Sequence, residues 1–286
     1  MRILITGVTG ILGNALYRSI KKDGSGFDVF STRFDITEKE AVARVFTELQ
    51  PELVVHCAGD GRVDFAEENW EAAFKVNTLG TANILREAGK VEAHVVYISS
   101  NAVYDGDSPP YSEDSERRPI NYYGKTKVDS ERLMFGYQGK GTIIRPILLY
   151  GWHPFKARPN LAIRVIESLA RKEQIKVVDD IYTQPTYAPD MASAIWGLVL
   201  NQKAEKEVYN MAPKEKMTLF KFAGQVARTF ELDESLIVPV KSDELKGFAP
   251  RPKDTTFDVS KLESLGVKLI SAERGLAEMR VDQYAG

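Results

Sequence analysis

Tyr123-Gly124-Lys125-Thr126-Lys127 sets a phenol and an ammonium four residues apart, and Val95-Val96-Tyr97-Ile98-Ser99-Ser100 ends an apolar run in two hydroxyls. On a helix, positions i and i+4 share a face. An ammonium beside a phenol favours phenolate and draws the tyrosine pKa down from about 10 toward the working pH, where it exchanges protons. Ser100 can donate a hydrogen bond to a carbonyl oxygen while Tyr123 protonates it, a geometry suited to hydride transfer to a ketone. The spacing alone says little. Tyr17-x-x-x-Lys21 repeats it on the first helix, and that pair reads as structural because the other end of its helix faces the ligand.

The elements that must position these groups start at the N-terminus. Gly7-Val8-Thr9-Gly10-Ile11-Leu12-Gly13 sits directly behind the apolar strand Ile3-Leu4-Ile5. A strand that ends in a glycine turn and feeds a helix aims backbone N–H groups and the positive helix end at a pyrophosphate. The spacing is G-x-x-G-x-x-G rather than G-x-G-x-x-G. In an open α/β sheet the ligand crevice lies outside the carboxyl ends of the strands. The glycine turn, Cys57-Ala58-Gly59 and Ser99-Ser100 therefore open into one crevice.

The first 150 residues alternate β-rich and helical runs, the pattern of a parallel sheet with helices on both faces. Strands are predicted at Arg2–Thr6, Asp28–Ser31, Leu53–His56, His94–Ser99 and Thr142–Ile147, with helices at Ile11–Lys22, Thr37–Leu49, Glu68–Ala88 and Tyr122–Phe135. Thr37 with Glu40 reads as a capping pair for the second helix. Pro51 marks its end. After Trp152 the alternation loosens. Helices are predicted at Asn160–Lys172, Asp190–Leu200 and Thr218–Phe230, a strand at Ile175–Val178, and an extended segment at Ile181–Pro189. No repeat or low-complexity linker appears, so the two lobes interleave: 1–152 with 186–212 as the dinucleotide-binding domain, 153–185 with 213–286 as the substrate lobe.

Composition narrows the class. With 43% hydrophobic and 27% charged residues, the chain of 286 residues reads as an ordinary globular protein. Its net charge of −2, without a basic block, gives no footprint for nucleic acid or anionic lipid. The longest charge-free run, Ile3–Tyr17, is too short and glycine-rich for a membrane span. A strand starting at residue 2 leaves no room for a signal peptide, and the single cysteine, Cys57, fits a reducing compartment. A cytoplasmic protein is expected.

Taken together, these residues resemble the extended short-chain dehydrogenase/reductase family, within it most the dTDP-4-dehydrorhamnose reductases and the related regulatory beta subunit of methionine adenosyltransferase. The matching stretches include Phe34-Asp35-Ile36-Thr37, His56-Cys57-Ala58-Gly59, Val76-Asn77 with Gly80-Thr81, Tyr97-Ile98-Ser99-Ser100, Asn121 to Lys127, Arg145-Pro146, Pro185 to Asp190 and Arg251-Pro252. The likeness spans nearly the whole chain and implies a Rossmann-like doubly wound α/β sheet with a smaller C-terminal lobe.

The resemblance also implies roles. Ser100, Tyr123 and Lys127 are the catalytic trio, with Lys127 holding the nicotinamide ribose hydroxyls. Gly7, Gly10, Ile11, Leu12 and Gly13 contact the pyrophosphate, Asp35 and Ile36 flank the adenine, Cys57, Ala58 and Gly59 line the adenosine side, and Ser99 and Pro146 border the nicotinamide. Trp152, Thr183, Gln184 and Arg251 sit where the substrate lobe closes, and Asn101 joins them as substrate-facing. Asn101-Ala102 departs from the acidic residue and tyrosine usual after the catalytic hydroxyl. A 4,6-dehydratase needs an acid pair there, so dehydration is disfavoured. Arg33, at the end of the second strand, can pair with a 2′-phosphate. NADP(H) is therefore expected over NAD(H).

His56, His94 and His153 lack paired spacing, so no metal is expected. His56 reads as core packing. Three functions remain. The first is an NAD(P)H-dependent reductase of a 4-keto-deoxysugar nucleotide, for which a homodimer is one open assembly. The others are an epimerase that retains its nicotinamide, and a non-catalytic NADP-binding regulatory subunit.

Overall fold

The computed structural model describes residues 1–22, 26–152, 158–200, 206–244 and 249–283; His153 lies outside them. In chain order the elements are β1 (Arg2–Thr6), α1 (Ile11–Lys22), β2 (Asp28–Phe30), α2 (Lys39–Leu49), β3 (Leu53–His56), α3 (Val63–Glu68), α4 (Trp70–Phe74), a π turn (Lys75–Leu79), α5 (Gly80–Lys90), β4 (His94–Ile98), α6 (Tyr122–Gly136) and β5 (Gly141–Pro146). There follow β6 (Leu149–Tyr150), α7 (Leu161–Ala170), β7 (Ile175–Val178), β8 (Tyr182–Thr183), β9 (Thr186–Tyr187), α8 (Ala188–Leu200), β10 (Glu207–Met211), β11 (Met217–Thr218), α9 (Leu219–Thr229), β12 (Ile237–Val240), α10 (Ser260–Ser264) and α11 (Ala272–Asp282).

Strands that are near-continuous apolar runs must be covered on both faces, as are Ile3-Leu4-Ile5 of β1 and Leu53-Val54-Val55 of β3. They pair in parallel at the middle of a six-stranded sheet of order β10-β5-β4-β3-β1-β2, all parallel and of the Rossmann-like doubly wound kind. Leu12, Leu16, Met191, Ile195 and Trp196 of α1 and α8 cover one face. Val42, Phe46, Ile84, Leu85 and Met134 of α2, α5 and α6 cover the other. Trp196 Nε1 donates to the Leu16 carbonyl at 3.1 Å and ties α8 to α1. Further on, α7, α9, α11 and β7 gather around their own buried cluster, including Ile163, Phe222, Val226 and Leu276.

Several expectations need correction. Thr37 does not cap α2. The residue before the helix is Glu38, without a side-chain capping bond, and the Thr37 N–H donates to Asp35 Oδ1 at 2.8 Å in the turn ahead of it. The helix expected over Glu68–Ala88 is broken into α4, a π turn and α5, with α3 in front. The sixth strand, β10, was not anticipated at all.

Candidate functional site

The chain runs outward from β1 to β2 and then returns to β3 on the other side of β1, so the switch point lies between β1 and β3. Loops leaving neighbouring strands in opposite directions open a crevice there. The glycine turn borders it on one side. Gly7 has φ +71°, and a Cβ on it would stand 2.6 Å from the Ala58 nitrogen. A Cβ on Gly13 would strike the Gly7 carbonyl. Gly10 N–H closes the turn on Gly7 O at 3.0 Å, and α1 starts at Ile11. A side chain at Gly7 or Gly13 would destroy the turn, so the backbone is left bare at the helix N-terminus, as a pyrophosphate requires. The residues fit a dinucleotide.

A cavity of about 760 Å³ follows from this turn. Gly7, Gly10, Ile11, Arg33, Asp35, Ile36, Cys57, Ala58 and Gly59 all line it, with Arg158 and Asn160 across the rim. Leu12 and Gly13 lie buried just behind. Arg33 is exposed, while Asp35 spends one carboxylate oxygen on Thr37, which holds its pKa below the usual carboxylate range. Cys57 is half-buried, and burial pushes its thiol up to about 12.

Ser100, Tyr123 and Lys127, the trio expected to be catalytic, stand near the carboxyl end of β4. Asn121 caps α6 by accepting from Gly124 N–H at 2.8 Å, which starts the helix one residue before Tyr123. Lys127 Nζ donates to the Ile98 carbonyl at 2.9 Å and lies 4.9 Å from the Tyr97 ring centre and 5.9 Å from that of Tyr123. It would stand 3.9 Å from a Cβ on Gly59, which brings it to the cavity edge. Ser100 is buried; its Oγ accepts from Ala102 N–H at 3.1 Å and donates to Asn101 Oδ1 at 3.3 Å, and its hydroxyl pulls the Tyr123 pKa downward.

Electrostatics here reverse one expectation. Burial raises the Tyr123 pKa, opposed by the Ser100 hydrogen bond and reinforced by the Asp60 charge. The ammonium is not what controls the phenol, because Nζ is directed at the Ile98 carbonyl instead. Burial lowers the Lys127 pKa to about 8, against the opposing pull of Cys57 and Glu131. A desolvated ammonium and a desolvated phenol both favour their neutral forms.

Two further residues take roles that the sequence does not assign them. Asn77, in the π turn, accepts from Asp60 N–H at 2.7 Å and donates Nδ2 to Asp60 O at 3.1 Å and Thr126 Oγ1 at 3.0 Å. It thereby ties the loop after β3 to α6; π turns often mark such places. Thr6 Oγ1 accepts from Ala58 N–H at 3.1 Å and meets His56 Nδ1 at 2.8 Å, while His56 Nε2 reaches Thr81 Oγ1 at 3.1 Å. His56 is a core residue.

The other expected site residues make the following contacts. Ser99 Oγ donates to Glu131 Oε1 at 2.6 Å, inside the protein. Pro146 is buried at the end of β5, paired with Met211. Trp152 Nε1 donates to Met279 O at 2.7 Å. Thr183 is buried in β8, and Gln184 spends both ends of its amide on the Phe257 backbone. Arg251 makes a two-point ion pair with Asp64, at 2.8 and 2.9 Å. Asn101 bridges Ser100 Oγ (3.3 Å) and Thr255 Oγ1 (2.5 Å).

Residues 1–284 match the RmlD substrate binding domain. The chain belongs to that family. Among its relatives is methionine adenosyltransferase 2 subunit beta of Xenopus tropicalis, 33% identical over 279 residues, covering 93% of this chain and 83% of that protein. The dTDP-4-dehydrorhamnose reductase of Bacillus anthracis, solved with NADP, superposes with a TM-score of 0.91 at 29% identity, covering 98% and 99% of the two chains. A dTDP-4-dehydrorhamnose reductase ortholog from Clostridium acetobutylicum gives the same score and identity over the full length of both chains. Among the described residues no helix is long and apolar enough to cross a membrane.

Proposed function

We propose that the protein is an NADPH-dependent reductase of a 4-keto-deoxysugar nucleotide. The observation that carries this reading is the gathering of Ser100, Tyr123 and Lys127 at the carboxyl end of β4, beside a groove that starts at the bare glycine turn. Residues 1–152 with 186–212 hold the cofactor in this reading, residues 153–185 with 213–286 hold the sugar, and the reaction takes place in the cytoplasm.

Gly7, Gly10 and the first turn of α1 would bind the pyrophosphate, Arg33 the 2′-phosphate, and Lys127 the nicotinamide ribose. The reduced nicotinamide, when bound, supplies the hydride. Ser100 steadies the keto oxygen by a hydrogen bond that strengthens as negative charge develops. Tyr123 delivers its proton to that oxygen, and its raised pKa keeps the phenol protonated and ready to donate. The test is NADPH consumption by purified protein with and without a nucleotide-linked 4-keto-6-deoxysugar, with the product identified by mass. Oxidation that needs the sugar and yields its alcohol supports the reading; NADPH left intact defeats it.

A second reading rests on one observation: identity to the methionine adenosyltransferase beta subunit, 33%, exceeds the 29% to the reductases. In it the same groove binds NADP(H) while the protein docks on an enzyme as a regulatory subunit. Stoichiometric co-purification with a synthetase, without reductase turnover, is its signature.

A further inference from the structure

Tyr123, Lys127 and Glu131 occupy successive turns of α6, yet only the first two belong to the reacting trio. Glu131 is wholly buried, and its carboxylate gathers donors from three segments. Ser99 Oγ reaches it from the end of β4 at 2.6 Å, Arg145 Nε and Nη2 from β5 at 2.8 and 2.7 Å, and Arg117 Nη1 from the loop before α6 at 3.1 Å. One turn earlier, Lys127 Nζ holds the Ile98 carbonyl. Helix α6 is thus bonded to residues 98 and 99, and Ser100 is the next residue. The Arg145–Glu131 contact is two-pronged, so it fixes direction as well as distance. The helix cannot slide along the strand ends without breaking a charge pair that has no water to replace it.

We propose that Glu131 is a positioning residue, clamping α6 to the ends of β4 and β5 so that Tyr123 and Lys127 stand correctly against Ser100.

A second consequence is electrostatic. His56 and Cys57 face Lys127 from the end of β3, Tyr97 from β4, and Tyr123 and Glu131 from α6 itself. His56 has its pKa lowered to about 3 and Cys57 has its raised to about 12, while burial raises both tyrosines. All four are neutral between about pH 5 and 9. Cys57 and then Glu131 oppose the desolvation of Lys127; with the Cys57 thiol neutral in that range the Glu131 carboxylate is what remains, and Arg145 and Arg117 pair with it.

The rate arm of the test rests on the reductase reading; the binding arm does not. NADPH affinity is titrated by fluorescence across pH for the wild type, E131Q, E131D and S99A, with turnover measured alongside. In the wild type, affinity falls where Lys127 loses its charge, near pH 8. E131Q binds NADPH at neutral pH, but its fall moves about one pH unit lower. Its kcat drops ~10²-fold while KM changes little, as misplacement of a catalytic group produces. E131D restores the position of the fall, and S99A lowers kcat without moving it. Identical binding profiles for E131Q and wild type overturn the proposal, as does a rate loss that only tracks the unfolded fraction. If E131Q does not fold because Arg145 is orphaned, E131Q/R145Q replaces it with the same expected direction. A wild type that binds NADPH but reduces no keto sugar removes the reductase reading, and the pH of the binding fall still decides the role of Glu131.

Discussion

Lys127 Nζ donates to the Ile98 carbonyl at 2.9 Å while standing 5.9 Å from the centre of the Tyr123 ring. The ammonium is tied to the sheet, and it is the Ser100 hydroxyl that pulls the phenol's pKa down against burial. A cation held this way is costly, because burial takes its pKa from 10.5 to about 8.

That cost has a sign. The unfolded chain binds the Lys127 proton more tightly than the folded one, so below pH 8 folding bears the full penalty, about 3 kcal/mol. The penalty fades as pH rises from 8 toward 10.5. Lys127→Met removes it and gives up one hydrogen bond worth about 1 kcal/mol. Urea denaturation at pH 7 is expected to show the variant more stable by about 2 kcal/mol, with weakened NADPH binding. A less stable Lys127→Met would contradict the desolvated ammonium.

Arg33 is exposed on the rim of the groove, near the end of β2, with no ion-pair partner among the described residues. Arg33→Ala is expected to weaken NADPH binding by ~10- to 100-fold and leave NADH binding unchanged, since only the former carries the 2′-phosphate that an arginine can grip. Isothermal titration with both cofactors measures this. Equal losses for the two would assign Arg33 to another part of the ligand.

His56 is fully buried, and burial foremost, with the Lys127 charge, lowers its pKa to about 3. Its neutral form is therefore built into the fold. The stability it contributes is intact above pH 6.5 and is lost as pH falls toward 3, at about 1.4 kcal/mol per pH unit. Thermal melts between pH 7 and pH 4.5 are expected to show this slope in the wild type and a shallower one in His56→Asn. Parallel curves would place the acid sensitivity elsewhere.

Much of the sheet was legible because β1 and β3 carry apolar runs, and α1 begins within the glycine motif, right after Gly10. Strand β10 was not. Its sequence, Glu-Val-Tyr-Asn-Met, opens on a charge and pairs with β5 across more than 60 residues. The break in the long helix was hidden too, since the π turn at Lys75–Leu79 is fixed by what Asn77 bonds, not by any proline or glycine within it.

The site divides the same way. Gly7, Cys57-Ala58-Gly59 and Ser100 could be placed together because all follow strand ends of one parallel sheet. The roles of Asn77 and Glu131 could not be read, because nothing in the local pattern names their partners Asp60 and Arg145, 17 and 14 residues away. Trp152 and Gln184 carry groups suited to a ligand, but Met279 and Phe257 main-chain atoms, over 70 residues away, occupy them. A polar side chain in a loop advertises a hydrogen bond without saying to what.

The claim on which the account turns is that the Tyr123 phenol supplies the proton to a reduced keto oxygen. Steady-state NADPH oxidation with a nucleotide-linked 4-keto-6-deoxysugar, compared between wild type and Tyr123→Phe, tests it most directly. The account predicts a kcat loss of at least ~10²-fold with NADPH affinity nearly unchanged, because only the transferable proton is removed. Wild-type turnover by Tyr123→Phe would contradict it.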